Sequence, residues 1–390
     1  MPKIIKNDIA ETWTINGDSK TGTLEEDASI IVNGLPAIDV LDTSVANRLR
    51  LFGDIIASGD GGEAVRVSGV NTRIMVGKDA NIDADEGIHA TANGLKVVNR
   101  GEIDGLHHAI SNSGASTIKN LGDLSGDSAI SALGTSKVIN GESGIIQGDF
   151  AGVIMAAGSN ASLVNAGMIS GNDYAIRMVT GGENSLVNTG TIHGDILFGI
   201  GDDTLDSRKG TIEGTIIGGD GNDVFMIGKN EVGIIEDNDD GIDQVYANRS
   251  HTLGDNLEHL FLKGKQDISG TGNDEDNILS GNIGQNTLRG GAGDDMIMTG
   301  AGDDAMLGED GADTFIFRQG DDRDTIADFT KGEDGILLAG FEGINSFDDL
   351  ATKMFRYDND VWIQLGNGDR LMIQNIDVGD LEASDFTFAA

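Results

Sequence analysis

The chain has no cysteine, which excludes disulfides, a thiol nucleophile and zinc-thiolate sites and leaves packing and bound ions to stabilise it. Proline is almost as scarce: Pro2 and Pro36 are the whole complement, too few for collagen or for an ordinary disordered linker. With 3 Tyr and 2 Trp there are few aromatic platforms for sugar rings. No stretch approaches the ~18 consecutive apolar residues of a membrane span. The opening MPKIIKNDIAETWTING lacks the apolar core of a signal peptide, so any export is expected to proceed without a cleaved N-terminal signal. Basic residues are the last shortage. Against 65 Asp plus Glu stand 26 Lys plus Arg, a formal net charge of −39 that disfavours nucleic acid and anionic membrane and attracts divalent cations.

What is abundant is glycine, 59 residues, and much of it is periodic. From Gly281 to Ile316 four nine-residue units run without a gap: GNIGQNTLR, GGAGDDMIM, TGAGDDAML and GEDGADTFI. Each approximates G-G-x-G-x-D-x-U-x, with U a large apolar residue. The fixed glycines are Gly284, Gly293, Gly302 and Gly311; two residues later come Asn286, Asp295, Asp304 and Asp313, and after two more Leu288, Ile297, Met306 and Phe315. Glycine permits the positive φ of a tight turn, so carbonyls can point at a common centre while the Asp adds an anionic oxygen. Gly291 and Gly300 open the turns of the second and third units. All-oxygen coordination of this kind suits Ca²⁺. The apolar residue points the other way, into a thin core.

Two units make one coil, so turns on one side recur at every second unit. This spacing places Asp295 over Asp313, and Asp304 over Asp322 in the turn Gly320-Asp321-Asp322, and the strongest ions are expected at those two pairs. Asn277 over Asp295 and Asn286 over Asp304 would be weaker, because the amide is neutral. The tandem resembles the nonapeptide repeats of RTX proteins, which form a parallel β-roll with Ca²⁺ between successive turns.

A looser repeat fills residues 75–217. Its phrase, V-x-N-x-G-x-I-x-G, appears at 97–105, 118–126, 139–148, 163–171, 186–194 and, partly, 207–214, ending on Gly105, Gly126, Gly148, Gly171, Gly194 and Gly214. Short apolar beats separated by glycines describe rungs of a parallel β-helix. The aligned Asn99, Asn120, Asn140, Asn165 and Asn188 are expected to stack as an amide ladder that satisfies turn carbonyls.

Between the repeats, Gly201-Asp202-Asp203, Gly221-Asn222-Asp223 and Gly241-Ile242-Asp243 recur at one constant spacing, and 218–226 (GGDGNDVFM, with Gly219) is a full nonapeptide match. Asp203, Asp223 and Asp243 are therefore expected to form a further ion column. Residues 246–280 resemble the stretch that precedes calcium repeats in secreted RTX proteins, with strands near 257–262 and at Ile268. After 316 the period stops. Strands are expected at 324–329 and 335–341, a helix at 346–355 capped by Ser346, and a hairpin from 361–365 to 370–376.

The expected fold is all-β: a right-handed parallel β-helix continuing into a calcium-binding parallel β-roll, with a small C-terminal α/β cap. The divisions are 1–50 (cap and first coils), 51–198 (β-helix), 199–280 (calcium-turn rungs and connecting segment), 281–322 (β-roll) and 323–390 (cap). The ending DLEASDFTFAA resembles the uncleaved signal of type I secretion substrates, which implies secretion machinery as a partner and an extracellular or cell-surface location. The β-helix phrases resemble the stems of surface adhesins and autotransporters, which implies a structural or adhesive role and a polysaccharide or cell-surface ligand, with recognition expected in the loops at 155–163 and 178–186. The alternative is a polysaccharide lyase or epimerase. Its best catalytic group would be His107, His108, Arg100 and Asp104, with Tyr174 and Arg177 on later rungs, and polar surface turns explain those residues equally well.

Overall fold

A computed structural model describes residues 3–42, 45–156, 160–179, 181–238 and 241–389. The loops expected at 155–163 and 178–186 fall partly outside these residues. The chain forms two compact units, residues 1–221 and 222–390. Each is by itself a solenoid of parallel strands.

In the first unit one column of strands begins at Lys3–Ile5 and Thr21–Leu24 and passes through Arg48–Leu51, Arg73–Val76, Leu95–Asn99, Ser116–Asn120, Ser136–Asn140 and Ser162–Asn165 to Ser185–Asn188 and Thr204–Ser207, every neighbouring pair parallel. The regular rungs thus reach back almost to the start of the chain, where the sequence shows no clear phase. The other faces are built by long strands, Asn81–Ala90, Glu102–Asn112, Asp123–Ala132 and Ile145–Met155, which shift register partway. Three of the long strands carry a glycine at the bend, Gly105, Gly126 and Gly148, where the first has Ala84. At Gly105 a side chain would strike the His108 carbonyl, so only glycine fits there. Inward positions carry aliphatic residues stacked rung on rung, as Ile82, Ile103, Leu124 and Ile146 show, all buried.

The Asn residues sit at the corner where a strand of the first column ends. Each amide donates to the next carbonyl oxygen: Asn99 to Asn120 at 2.9 Å, Asn120 to Asn140 at 3.0 Å, Asn140 to Asn165 at 2.9 Å and Asn165 to Asn188 at 2.9 Å. Asn188 closes the run on the Ser207 hydroxyl. The same amides also reach turn carbonyls, such as those of Gly144 and Met168 from Asn140. The ladder is as the sequence repeat anticipates.

The second unit is a flatter roll. One column runs Val224–Ile227, Gln244–Ala247, His259–Leu262, Ile278–Ser280, Met296–Met298, Thr314–Arg318, Gly335–Ala339 and Phe386–Ala389. Its counterpart runs His251–Thr252, Ser269–Thr271, Thr287–Ala292, Ala305–Asp310, Arg323–Ile326 and Asp369–Ile373. Leu279, Ile297, Phe315 and Ile336 from one column and Leu288, Met306 and Ile326 from the other fill the buried space.

The C-terminal segment differs from expectation in one place. The helix capped by Ser346 spans only Phe347–Ala351. Met354–Tyr357 is instead a strand, drawn into an antiparallel pair with Asp360–Gly366, which in turn pairs with Asp369–Ile373. Non-local ladder bonds outweigh a weak local helix preference here.

Candidate metal centre

The two-unit coil lays successive calcium-type turns on top of one another, and one backbone bond sets the spacing. The Asn277 N–H donates to Asp295 Oδ1 at 2.8 Å, the Asp295 N–H to Asp313 Oδ1 at 2.9 Å and the Asp313 N–H to Asp334 Oδ1 at 3.0 Å. On the other side of the roll the Asn286 N–H donates to Asp304 Oδ1 at 2.6 Å and the Asp304 N–H to Asp324 Oδ1 at 3.0 Å. Asp304 therefore stands over Asp324 and not over Asp322. The coil lengthens between Ala305 and Thr325, so Gly320-Asp321-Asp322 is a turn of different phase, with Asp322 exposed at φ 68°.

The turn glycines behave as the pattern requires. Gly201, Gly219, Gly221, Gly241, Gly291, Gly293, Gly300, Gly302, Gly311 and Gly320 all have positive φ. Gly284 does not, and its N–H is held by Asn282 Oδ1 at 2.7 Å.

Asp324 and Asp334, at the ends of the columns, use both oxygens, the second taken by the Thr299 hydroxyl and the Thr330 N–H respectively, whereas the aspartates within the columns use only one. Oδ2 of Asp295, Asp304 and Asp313 is buried and accepts no hydrogen bond. Burial pushes Asp295 and Asp304 up to about 7 and Asp313 up to about 6; backbone N–H bonds oppose the rise, and neighbouring carboxylates (Asp313 beside Asp295, Asp321 beside Asp304, Asp334 beside Asp313) add to it. A buried anionic oxygen without a partner is costly. A hard cation supplies the missing partner, and the donors around it are all oxygens, so the residues fit Ca²⁺. Glycine precedes Asp295 and Asp313 by five residues, where a side chain at Gly290 or Gly308 would overlap the free oxygen. At the matching position before Asp304 stands Thr299, whose hydroxyl is 2.5 Å from Asp324 Oδ2.

Residues 215–228, 271–306 and 296–324 match the RTX calcium-binding nonapeptide repeat, in four copies. The chain carries RTX calcium-binding repeats. No curated protein matches it. Among solved structures it is similar to the extracellular lipase LipA from Serratia marcescens, at 16% identity over 56% of this chain and with a TM-score of 0.22. The match spans 40% of the lipase, and at that TM-score it carries no argument.

The RTX matches include the Asp223 turn and both columns of the roll, and leave out the Gly201-Asp203 and Gly241-Asp243 turns. In the first unit the Asn184 N–H donates to Asp203 Oδ1 at 2.6 Å, and burial pushes Asp203 up to about 6. In the second unit the Asp223 N–H donates to Asp243 Oδ1 at 2.7 Å and the Asp243 N–H to Glu258 Oε2 at 2.6 Å. Asp223, Asp243 and Glu236 bring buried carboxylate oxygens within 4.8 Å of one another. Glu236, Glu258, Asp324 and Asp334 are absent from the sequence-based set. Asp324 and Asp334 were within reach of it, had the coil been allowed to lengthen after Ile316; Glu236 and Glu258 belong to no repeat.

Of the grouping His107, His108, Arg100 and Asp104, His108 and Asp104 take other partners. His108 Nδ1 lies 2.8 Å from Glu86 Oε1, the Ser111 hydroxyl donates to Glu86 Oε2 at 2.9 Å, and His89 Nδ1 lies 2.9 Å from Ser111 Oγ. Burial raises the Glu86 pKa, yet the His108 and Ser111 hydrogen bonds outweigh it and the net shift is downward, so Glu86 is an anion. It can only accept. Ser111 spends its one proton on Glu86, so His89 must donate from Nδ1, and His108 does the same toward the carboxylate. Both rings therefore present an Nδ1–H to the network. Asp104 is engaged instead by the Ser125 hydroxyl at 2.9 Å, and Tyr174 and Arg177 lie together elsewhere, the guanidinium carbon 6.0 Å from the ring centroid.

Proposed function

We propose that the chain is secreted through type I machinery, that its RTX roll becomes ordered on extracellular Ca²⁺, and that the folded solenoid serves as a structural or adhesive protein of a cell surface or matrix, binding a polysaccharide or cell-surface ligand. The observation that carries this reading is the set of buried, unpartnered Oδ2 atoms of Asp295, Asp304 and Asp313. Carboxylates one strand apart repel by roughly 3 kcal/mol per pair at an effective dielectric of about 20. Calcium reverses the balance: each filled site favours the folded form by about 2.7 kcal/mol at 100 times its dissociation constant. A calcium-poor interior then keeps the repeats extended for export, and arrival outside folds them. No helix among the described residues is long and apolar enough to cross a membrane.

Far-UV circular dichroism with calcium and with excess chelator tests the folding step, and calcium-dependent retention on cells or polysaccharide, without turnover of the polymer, tests the adhesive one. Unchanged sheet content after chelation would contradict the first; release of cleaved or epimerised sugar would replace the second with an enzyme.

A further inference from the structure

The first unit carries a groove of about 500 Å³ on the outer face of its long strands, at the bend just before Glu86 and His108. Across its floor Asp83, Asp104, Ser125 and Gln147 stand in register on four successive strands. At about 4.8 Å per strand the row is roughly 14 Å long, enough for several linked sugar rings and too long for one small metabolite. Asp85 and Asp149 add two more carboxylates along the sides, and none of the residues lining the groove is basic.

The charge of this lining is one-sided. Its four carboxylates can only accept hydrogen bonds, while the Ser125 hydroxyl is spent on Asp104 and Gln147 contributes an amide that both donates and accepts. A ligand matching it must be rich in donors, which a chain of sugar hydroxyls is. An anionic sugar is disfavoured, because its carboxylate would enter a field of like charge with no cation to meet it. Leu106, at 67% exposure one of the most exposed large apolar side chains among the described residues, stands at the rim. An apolar rim beside convergent polar groups is the usual make-up of a ligand pocket, and here it can take the C–H face of a pyranose.

We infer that this groove binds an uncharged, hydroxyl-rich glycan lying along the solenoid axis. The inference rests on the adhesive reading above and gives it a ligand class and a site. It moves recognition from the loops at 155–163 and 178–186 to a sheet face.

The test is calorimetric titration of the calcium-saturated full-length protein with neutral gluco-, galacto- and manno-oligosaccharides, with alginate oligosaccharides as the anionic arm and deacetylated chito-oligosaccharides as the cationic one. At least one neutral oligosaccharide should bind and the alginate series should not. Leu106→Asp should weaken the neutral binding about tenfold or more, as loss of a central contact does, while Leu133→Asp, at an exposed site elsewhere in the same unit, leaves it unchanged. Absence of neutral binding, binding of the cationic series alone, or full binding by Leu106→Asp would overturn the inference. Circular dichroism of the same samples with and without chelator separates the two ideas. Calcium-dependent folding without glycan binding removes the groove alone, whereas glycan binding with chelator-insensitive folding removes the calcium step alone.

Discussion

The buried Asn column of the first unit and the buried Asp columns of the second differ in how their side chains are satisfied. In the first unit Asn99 to Asn188 stack amide on amide, each side chain both donating and accepting, so the column is complete without any external partner. In the second unit Asn277, Asp295, Asp313 and Asp334 stack through the backbone, because a carboxylate has nothing to donate. The N–H of one turn satisfies one oxygen of the next, and the other oxygen of Asp295 and of Asp313 is left over. An amide column needs no further partner, whereas Oδ2 of Asp295 and Asp313 awaits a cation. On the reading proposed above, this difference makes the order of the roll depend on Ca²⁺ while that of the first unit does not.

The sharpest way to break this contrast is to put a carboxylate into the amide ladder. Asn140→Asp would face the Asn165 oxygen and the Gly144 and Met168 carbonyls with an anion in place of a donor. A buried charge without compensation costs about 3 to 5 kcal/mol, and denaturant unfolding of the first unit should show a loss of that order in calcium and in chelator alike.

The reverse exchange is smaller and changes sign. Asp295→Asn should cost about 2.7 kcal/mol where calcium is at 100 times its dissociation constant, since one site is lost, yet the variant should be more stable than the parent in chelator. Melting curves of both proteins under both conditions should cross. Thr299→Val probes the one turn with a hydroxyl where its neighbours have glycine. Removing the donor from Asp324 should cost about 1 to 3 kcal/mol in the metal-free protein, measured as a shift in the same curves.

A change of pH probes the same carboxylates. Burial raises Asp295 and Asp304 from the ordinary 3.8 to about 7 in the folded roll. The folded state therefore holds protons that the unfolded chain has released, so metal-free stability falls as pH rises from about 4 to about 7. Chelated protein should show more sheet by circular dichroism at pH 5 than at pH 7.5. Calcium-loaded protein should show no such gain on acidification, because protons compete with the ion.

How much of this was legible in the sequence follows from what each residue depends on. The Asn ladder and the Asp295–Asp313 stack could be read because each member occupies the same place in its phrase, and a constant period places equal positions on top of one another. Asp304 was assigned to Asp322 because the same period was carried past Ile316, where the coil lengthens and Asp324 takes the place. Glu236 and Glu258 lie outside every repeat, so only the folded rungs bring them beside Asp223 and Asp243. The helix at Ser346 was readable from its cap but not its end, since Met354–Tyr357 is claimed by a strand that comes later in the chain. The groove had no sequence signal, because Asp83, Asp104, Ser125 and Gln147 become neighbours only through strand register.

Amide hydrogen exchange of one sample, followed over Leu95–Asn188 and over Thr287–Arg318 at pH 7.5 with calcium and with chelator, tests the contrast most directly. If carboxylate columns need a cation and amide columns do not, chelation should strip protection from the second stretch and leave the first nearly unchanged. Equal protection of both stretches in the chelated protein would contradict it.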